Sequence, residues 1–486
     1  NDFQELDLGA VPSSYRLLLK KFKNNLPQIR ITLNQLSQLS SAALVFLGEK
    51  TPRNYLVLFQ NPAEIRGSGG FIGSYAQVKV FRGQIKEMKV NDIYDPDGQL
   101  KEKFIPVKPL WRFQSNIQLT DANWFADFPT SAQTFSHLFE NCGQPTPDGI
   151  IAINPFLIQD ILKLVGPINL PHYQKIITAQ NFFTEVQNEV ELGPDKSNGH
   201  PKKIIAKLAP ILISKLSNFW TNSTLQQKSQ LINLIWNHLN EKDTLVYLPQ
   251  EKNTQQILSS FNWSGEVKPY LQDYLMVINN NFLGSKSDWV IKQKINQEIN
   301  IQKDGSIIKT VTITRQHQGD KYSEPFFQQK NQDYLTLLVP KGSQLISVSG
   351  LDSQALINKP PSYFNFKSLL PISSFNQSFK RLKSLSNTDT FIENNLTGFG
   401  HWTIINPGKT RTFTFTYRLP FKINQRYTLL VQKQSGINSS LQTKIIWPKN
   451  KKLAWLKSFK NINIHQNEID FSLNLNQDKT FGLVFK

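Results

Sequence analysis

The sequence predicts an α/β core, with a mixed sheet and a helical subdomain, followed by an all-β sandwich domain. Three stretches carry that prediction. Residues 53–95 switch to period two and to short buried runs, with a glycine loop and a tight turn between them. Residues 148–167 read as a strand, a capped helix and a glycine stop, which together make an α/β unit. In TRTFTFTYR, Phe413, Phe415 and Tyr417 share one strand face and threonines the other, as in a half-buried sandwich strand.

The elements follow in order along 486 residues, a length that suits two or three domains. Residues 1–50 form a helical stalk or cap: apolar side chains recur at spacings of three and four through 14–47, with Pro27 as an interruption. Residues 51–177 form the α/β core. NYLVLF (54–59), FIGSYAQVKVF (71–81) and QIKEMKVNDIY (84–94) are strands, the last two joined at Arg82-Gly83. The helix ending at 141 is capped by Thr130 or Ser131 and buries Ala132, Phe135 and Phe139. DGIIAI (148–153) leads into a helix capped by Asn154, started by Pro155 and stopped at Gly166-Pro167. Residues 178–284 read as mostly helical, including KPYLQDYLMVINNNFLG, with one strand at DTLVYLP (243–249). Residues 285–448 form the sandwich and include a hairpin across Asp304-Gly305. Residues 449–486 read as a basic connector and a terminal hairpin, EIDFSLNLNQDKTFGLVF.

Composition narrows the chemistry. Hydrophobic residues make up 39% and charged residues 19%, a globular balance. The net charge of +19 favours anionic partners such as nucleic acid, anionic lipid or wall polymers. No nucleic-acid motif accompanies it, and the aromatics lie on strand faces and helix stripes. A single cysteine, Cys142, excludes an internal disulfide and a Cys-rich zinc site, and no His-Glu-x-x-His occurs. No apolar run reaches the length of a membrane span. The first residue is asparagine, so a processed start, with a signal or anchor before it, is expected.

Two sets of residues point to a ligand. In QNPAEIRGSGGFIGSY, Gly67, Gly69, Gly70 and Gly73 surround a bend beside Glu64 and Arg66. The spacing fits neither a dinucleotide fingerprint nor a P-loop, and a strand follows where both need a helix. The loop is either a strand-to-strand bend or an anion nest, with Arg66 offering a planar fork for phosphate. The acidic sets are Asp92, Asp95 and Asp97 in NDIYDPDG, and Asp121 and Asp127 around Asn123 in LTDANWFADFP. Hard oxygen ligands of this kind suit Mg²⁺ shared with a phosphate; the alternative is turn and helix capping. The cluster WPKNKKLAWLKSFK (447–460) reads as a solvated connection or a contact for an anionic polymer.

NYLVLFQNPAEIRGSGGFIGSYAQVKVFRGQIK, DANWFADFPTSA and DGIIAINPFLIQDILKLVGPINLP resemble, in order and spacing, a bacterial cell-surface family of unassigned function, domain-of-unknown-function family 4012. That resemblance implies an extracytoplasmic body with a membrane anchor. More remotely, the core is similar to the LytR-CpsA-Psr envelope phosphotransferases. Those enzymes hold a polyprenyl pyrophosphate-linked glycan in a hydrophobic groove and transfer it with Mg²⁺. The likeness places Arg66 on the pyrophosphate and the segment 119–127 beside it; with the readings above, the expected catalytic residues are Arg66 and Asp121, the ligand contacts Glu64, Gly69, Gly70, Arg112 and Asn123, and the metal contacts Asp92 and Asp95. Leu119-Thr120-Asp121 lacks the arginine those enzymes place before the aspartate, and Gly69-Gly70 replaces a charged run. A transferase needs preorganised positive charge, so this chain either binds without catalysing or uses Arg66 or Arg112 instead. The expected function is binding of a phosphate-bearing or lipid-linked glycan, with the helices of 178–283 supplying an apolar groove. The rival is a non-enzymatic surface scaffold.

Overall fold

The computed structural model describes residues 11–268, 270, 272–352, 362–457 and 462–486. Residues 1–10 of the expected stalk and 458–460 of the basic cluster lie outside them. Helix α1 (Ser13–Phe46) carries Pro27 inside it and packs at its C-terminal end, where Phe46 stacks on Tyr55 at 4.9 Å. Strands β1 (Arg53–Asn61), β2 (Phe71–Phe81) and β3 (Gln84–Asp92) form an antiparallel meander. Helix α2 (Phe128–Asn141) follows. Its cap is Asp127, which accepts the Thr130 N–H at 3.0 Å, rather than Thr130 or Ser131. A carboxylate is the stronger acceptor there, and Pro129 in the first turn suits a start one residue earlier. Strand β4 (Gly149–Ile153) pairs parallel with β1, and α3 (Pro155–Val165) has the expected Asn154 cap.

The short strands β5 (Ile168–Leu170) and β6 (Lys175–Ile177) lead to α4 (Phe182–Leu192), α5 (Lys203–Asn222) and α6 (Leu225–Asn240). Strand β7 (Thr244–Tyr247) completes a mixed sheet in the order β3-β2-β1-β4-β7, and α7 (Lys252–Ser260) follows. The expected α/β core and β-sandwich are therefore both present.

The stretch expected to be helical at 268–284 is instead the strand β8 (Asp273–Ile278), with all six residues buried. The short apolar run Tyr274–Ile278 has no period to separate strand from helix, and its sheet neighbours decide. Those neighbours are β11 (Asn331–Pro340) and β17 (Arg426–Gln432), within an eight-stranded sheet. The facing seven-stranded sheet is built on the hairpin of β9 (Ile291–Ile301) and β10 (Ser306–His317), with β16 (Thr410–Lys422) beside it. Phe413, Phe415 and Tyr417 are fully buried between the sheets. On the outer face Thr310, Thr312 and Thr314 meet Thr416, Thr414 and Thr412 in a hydroxyl ladder at 3.1–3.2 Å.

The expected terminal hairpin does not form. Strand β21 (Glu468–Leu475) pairs with β18 (Ser439–Ile446), whereas β22 (Lys479–Phe485) pairs with β17 in the opposite sheet. Phe471 and Phe481 stack at 5.1 Å, so crossing between sheets buries both rings in the core. Part of the basic connector is likewise an edge strand, Leu453–Lys457, paired with β22.

The eight-stranded sheet packs on both faces. Tyr274, Tyr334 and Trp402 share a core with Leu56 and Phe135 of the α/β part. Between the two sheets of the sandwich lies a buried ion pair. Lys309 Nζ lies 2.9 Å from Asp273 Oδ2, both fully buried, and the Tyr427 hydroxyl donates to the same oxygen. Truncating one partner strands a buried charge. Lys309→Ala is expected to lower unfolding free energy by about 3–5 kcal/mol in urea titration, and Lys309→Ala combined with Asp273→Ala by less than the sum of the single changes.

Candidate functional site

Strand alternation builds the floor of the main cavity. On β1, Leu56 and Leu58 point into the shared core, and Val57 and Phe59 point the other way. Ala76 and Val78 of β2 and Met88 of β3 continue that second face. Helices α3, α4 and α5 stand over it with Ile158, Val186, Leu208 and Leu212, whose spacings put one apolar stripe of each helix inward. The space between sheet and helices holds about 360 Å³, within the range of small-molecule sites.

One end of this apolar space is polar. Lys202 and Lys286 line it, with Gln60, Asn61, Ser74 and Gln187. Lys286 Nζ is 2.6 Å from Glu64 Oε2 and 5.1 Å from the centre of the Phe71 ring. Burial would raise the Glu64 pKa, yet Lys286 and Arg66 together hold it below the usual carboxylate value. Lys202 differs. Its side chain approaches Gly73 and forms no hydrogen bond or ion pair among the described residues. Burial, then Lys286, lowers its pKa. Gln60 is buried beside it in the lining, and its Nε2 also lacks a partner. Asp92, Glu191 and Glu64 act against the Lys202 shift, and Lys202 is part-exposed, so of the two donors only the Gln60 amide is a buried group without an acceptor.

The residues singled out in the sequence lie elsewhere. Arg66 is buried; it donates to the Asn281 carbonyl, forms a 2.9 Å ion pair with Glu64 and lies 4.0 Å from the Phe282 ring centre. The glycine loop is docked rather than open. Gly67 N–H donates to Asn280 Oδ1 at 2.7 Å, and Gln434 Nε2 donates to the Arg66 carbonyl at 3.0 Å. A Cβ at Gly67 would collide with the Trp124 carbonyl. Gly69 and Gly70 adopt φ of 137° and 154°, open to glycine alone, and Asn123 Nδ2 donates to the Gly70 carbonyl at 2.5 Å. Of the two readings of this loop, the bend is the one its geometry fits. Its polar groups face Asn279–Asn281 and Gln434 of the sandwich.

Asp121 is buried and accepts from Gln114 Nε2 at 2.7 Å and the Gln118 N–H at 3.1 Å, closing a capping box. Burial, opposed by those donors, pushes its pKa up to about 6. Arg112 is half-buried against Phe113. Asp92 accepts the Tyr94 N–H at 3.1 Å, and Asp95 is exposed on the next turn. Among the described residues no three His, Cys, Asp or Glu side chains converge on a metal position. Asp92 and Asp95 therefore do not form a cage of their own for Mg²⁺. Among the residues singled out in the sequence the exceptions are Gly73, which lines the cavity where Lys202 approaches, and Glu64, which reaches the same end through Lys286. Lys202 lies just before α5, and no local sequence pattern marks it.

Two outcomes follow. Arg66→Ala leaves Glu64 with one cation and empties a buried fork; thermal and urea unfolding should show a loss of about 3–5 kcal/mol. For Asp121 the folded pKa lies above the unfolded one. The stability it contributes is full below about pH 4 and is lost as pH rises through about 6. Melting temperatures of wild type should fall relative to Asp121→Asn across that window, and a constant difference would contradict the assignment.

No curated protein matches the chain. Among solved structures it is similar to a Legionella pneumophila protein described as nutrient binding, at 9% identity over 44% of this chain and 71% of that one, with a TM-score of 0.25. A Streptococcus agalactiae protein gives 13% identity, 44% and 74% coverage and a TM-score of 0.27. An M1 zinc metallopeptidase from Deinococcus radiodurans gives 7%, 40% and 42%, and 0.19. Likenesses this distant assign no activity. Residues 50–190, which supply the cavity floor and two of its helices, match the model of DUF4012, a protein family of unknown function.

Proposed function

We propose that the protein binds an amphiphile with a long apolar chain and a phosphate head, as a lipid-linked glycan precursor has, at the cell envelope outside the cytoplasm. The observation that carries this reading is Lys202: a part-exposed cation that forms no side-chain hydrogen bond or ion pair among the described residues, at the end of an apolar cavity. The chain would lie between the sheet and α3–α5, where Leu208 and Leu212 exclude water. The phosphate would meet Lys202 and the Gln60 amide, with Lys286 adding charge from its Glu64 pair. The substrate class is the one implied by the resemblance to the LytR-CpsA-Psr enzymes. The reading favours binding over transfer, because Arg66 and Asp121 are engaged in packing and capping away from the cavity. Mg²⁺ would be held by the phosphate, with Asp92, whose charge is felt at Lys202, as the contributing carboxylate.

Titration of the purified chain with a short polyprenyl phosphate tests this. Wild type is expected to bind with or without Mg²⁺. Lys202→Ala should weaken binding about tenfold or more, the worth of one charge-assisted hydrogen bond. Leu208→Trp, which fills the cavity, should weaken the prenyl phosphate and prenyl alcohol alike, whereas Lys202→Ala should spare the alcohol. Absence of binding by folded wild type would remove the reading and leave a surface scaffold.

A further inference from the structure

Helix α1 presents a surface that nothing in the cavity reading uses. Its packed residues are near its end: Ala42 is buried, and Leu39 and Phe46 join the small core around Tyr55 and Trp263. Ahead of them Tyr15, Leu18, Ile29, Leu33 and Leu36 are 37–66% exposed. At about 100° per residue these five fall, with the exposed Phe22, within one narrow stripe of the helix, whereas the exposed Leu17 and Ile31 lie toward the opposite side. Between Ser13 and Phe46 the chain carries five Lys or Arg and no Asp or Glu. Lys21 and Arg30 project about 90° to either side of the stripe, and Lys20 lies behind it.

An apolar stripe of this length is not left in water at no cost, and a helix with so little packing draws little stability from tertiary contacts. What covers it must be apolar where it meets the stripe and negative where it meets the flanks. A second copy of this chain meets only the first condition. The stripe has the three-and-four spacing of a coiled-coil seam, but pairing would set Lys20, Lys21 and Arg30 of one helix beside those of the other with no anion on either helix. An anionic bilayer surface meets both. Leucine, isoleucine and tyrosine enter the boundary between headgroups and acyl chains, and flanking lysine and arginine stay at the phosphates. We infer that α1 lies in the plane of an anionic lipid surface, holding the protein on a membrane through its exposed apolar stripe and basic flanks. No helix among the described residues is long and apolar enough to cross a membrane, so this contact is peripheral.

Co-sedimentation of the full chain with vesicles tests it. The vesicles are phosphatidylcholine alone, or equimolar phosphatidylcholine and phosphatidylglycerol. Binding to the anionic vesicles is expected, at least about tenfold tighter than to the neutral ones, given roughly 1 kcal/mol per basic residue near such a surface. Leu33→Asp and the triple reversal Lys20→Glu, Lys21→Glu, Arg30→Glu should each abolish it. All these positions are exposed, so circular dichroism and melting temperature should stay at wild-type values. Lys202→Ala should leave vesicle binding unchanged, which separates this contact from the cavity. Equal binding to both vesicle types, or undiminished binding by Leu33→Asp, overturns the inference. A dimer in analytical ultracentrifugation that Leu33→Asp dissociates, without vesicle binding by wild type, overturns it in favour of self-pairing.

Discussion

The docking of one glycine loop onto the sandwich organises the rest of the molecule. Gly67, Gly69 and Gly70 let the backbone between β1 and β2 pass close to Trp124 and Asn61, where any side chain would collide. That close approach presents the loop to Asn280, Asn281 and Gln434, which satisfy its amides and carbonyls. Arg66 fills the same junction with Glu64 and Phe282. Buried polar groups tolerate little misplacement, so this network fixes the orientation of the mixed sheet against the eight-stranded one. It also sets Glu64, and through it Lys286, at the end of the cavity. A loop that reads as a ligand cradle in the sequence thus serves the site indirectly.

The cavity has a simple origin. A five-stranded mixed sheet needs cover on both faces. One face has a dense cover: α2 with the segment 93–127, packed onto the sandwich. The other has three amphipathic helices joined by loops, whose stripes meet each other in a core of their own around Ile161, Leu170 and Leu208. Where the helices pack on one another they stand off the sheet, and the gap is lined by both. Protein interiors normally close such gaps. Here the gap stays open, and Lys202 lines one end of it.

Local grammar was legible wherever the chain decides its own conformation. Asn154-Pro155 and Gly166-Pro167 bracket their helix as read, and the meander from Asn54 to Asp92 needed only alternation and one turn. Long-range choices were not. Asp273–Ile278 becomes a strand because β11 and β17 receive it, and Glu468–Leu475 and Lys479–Phe485 separate because the core takes an aromatic from each. The site was illegible for the same reason. Arg66 and Asp121 carry strong chemistry in sequence, but tertiary partners consume it; Lys202 is ordinary in sequence and stands out only through where folding puts it, at the cavity's end with no side-chain hydrogen bond among the described residues.

The central claim is that an apolar chain occupies the space under α3–α5 with its anionic head at Lys202. Photo-crosslinking with a prenyl phosphate that carries a diazirine in its tail, followed by peptide mapping, tests that placement directly. The account predicts adducts on α5 around Leu208 and Leu212 and on α3 around Ile158, competed by unlabelled prenyl phosphate and lost in Leu208→Trp. Adducts confined to α1 or to the sandwich surface, unaffected by Leu208→Trp, would contradict it.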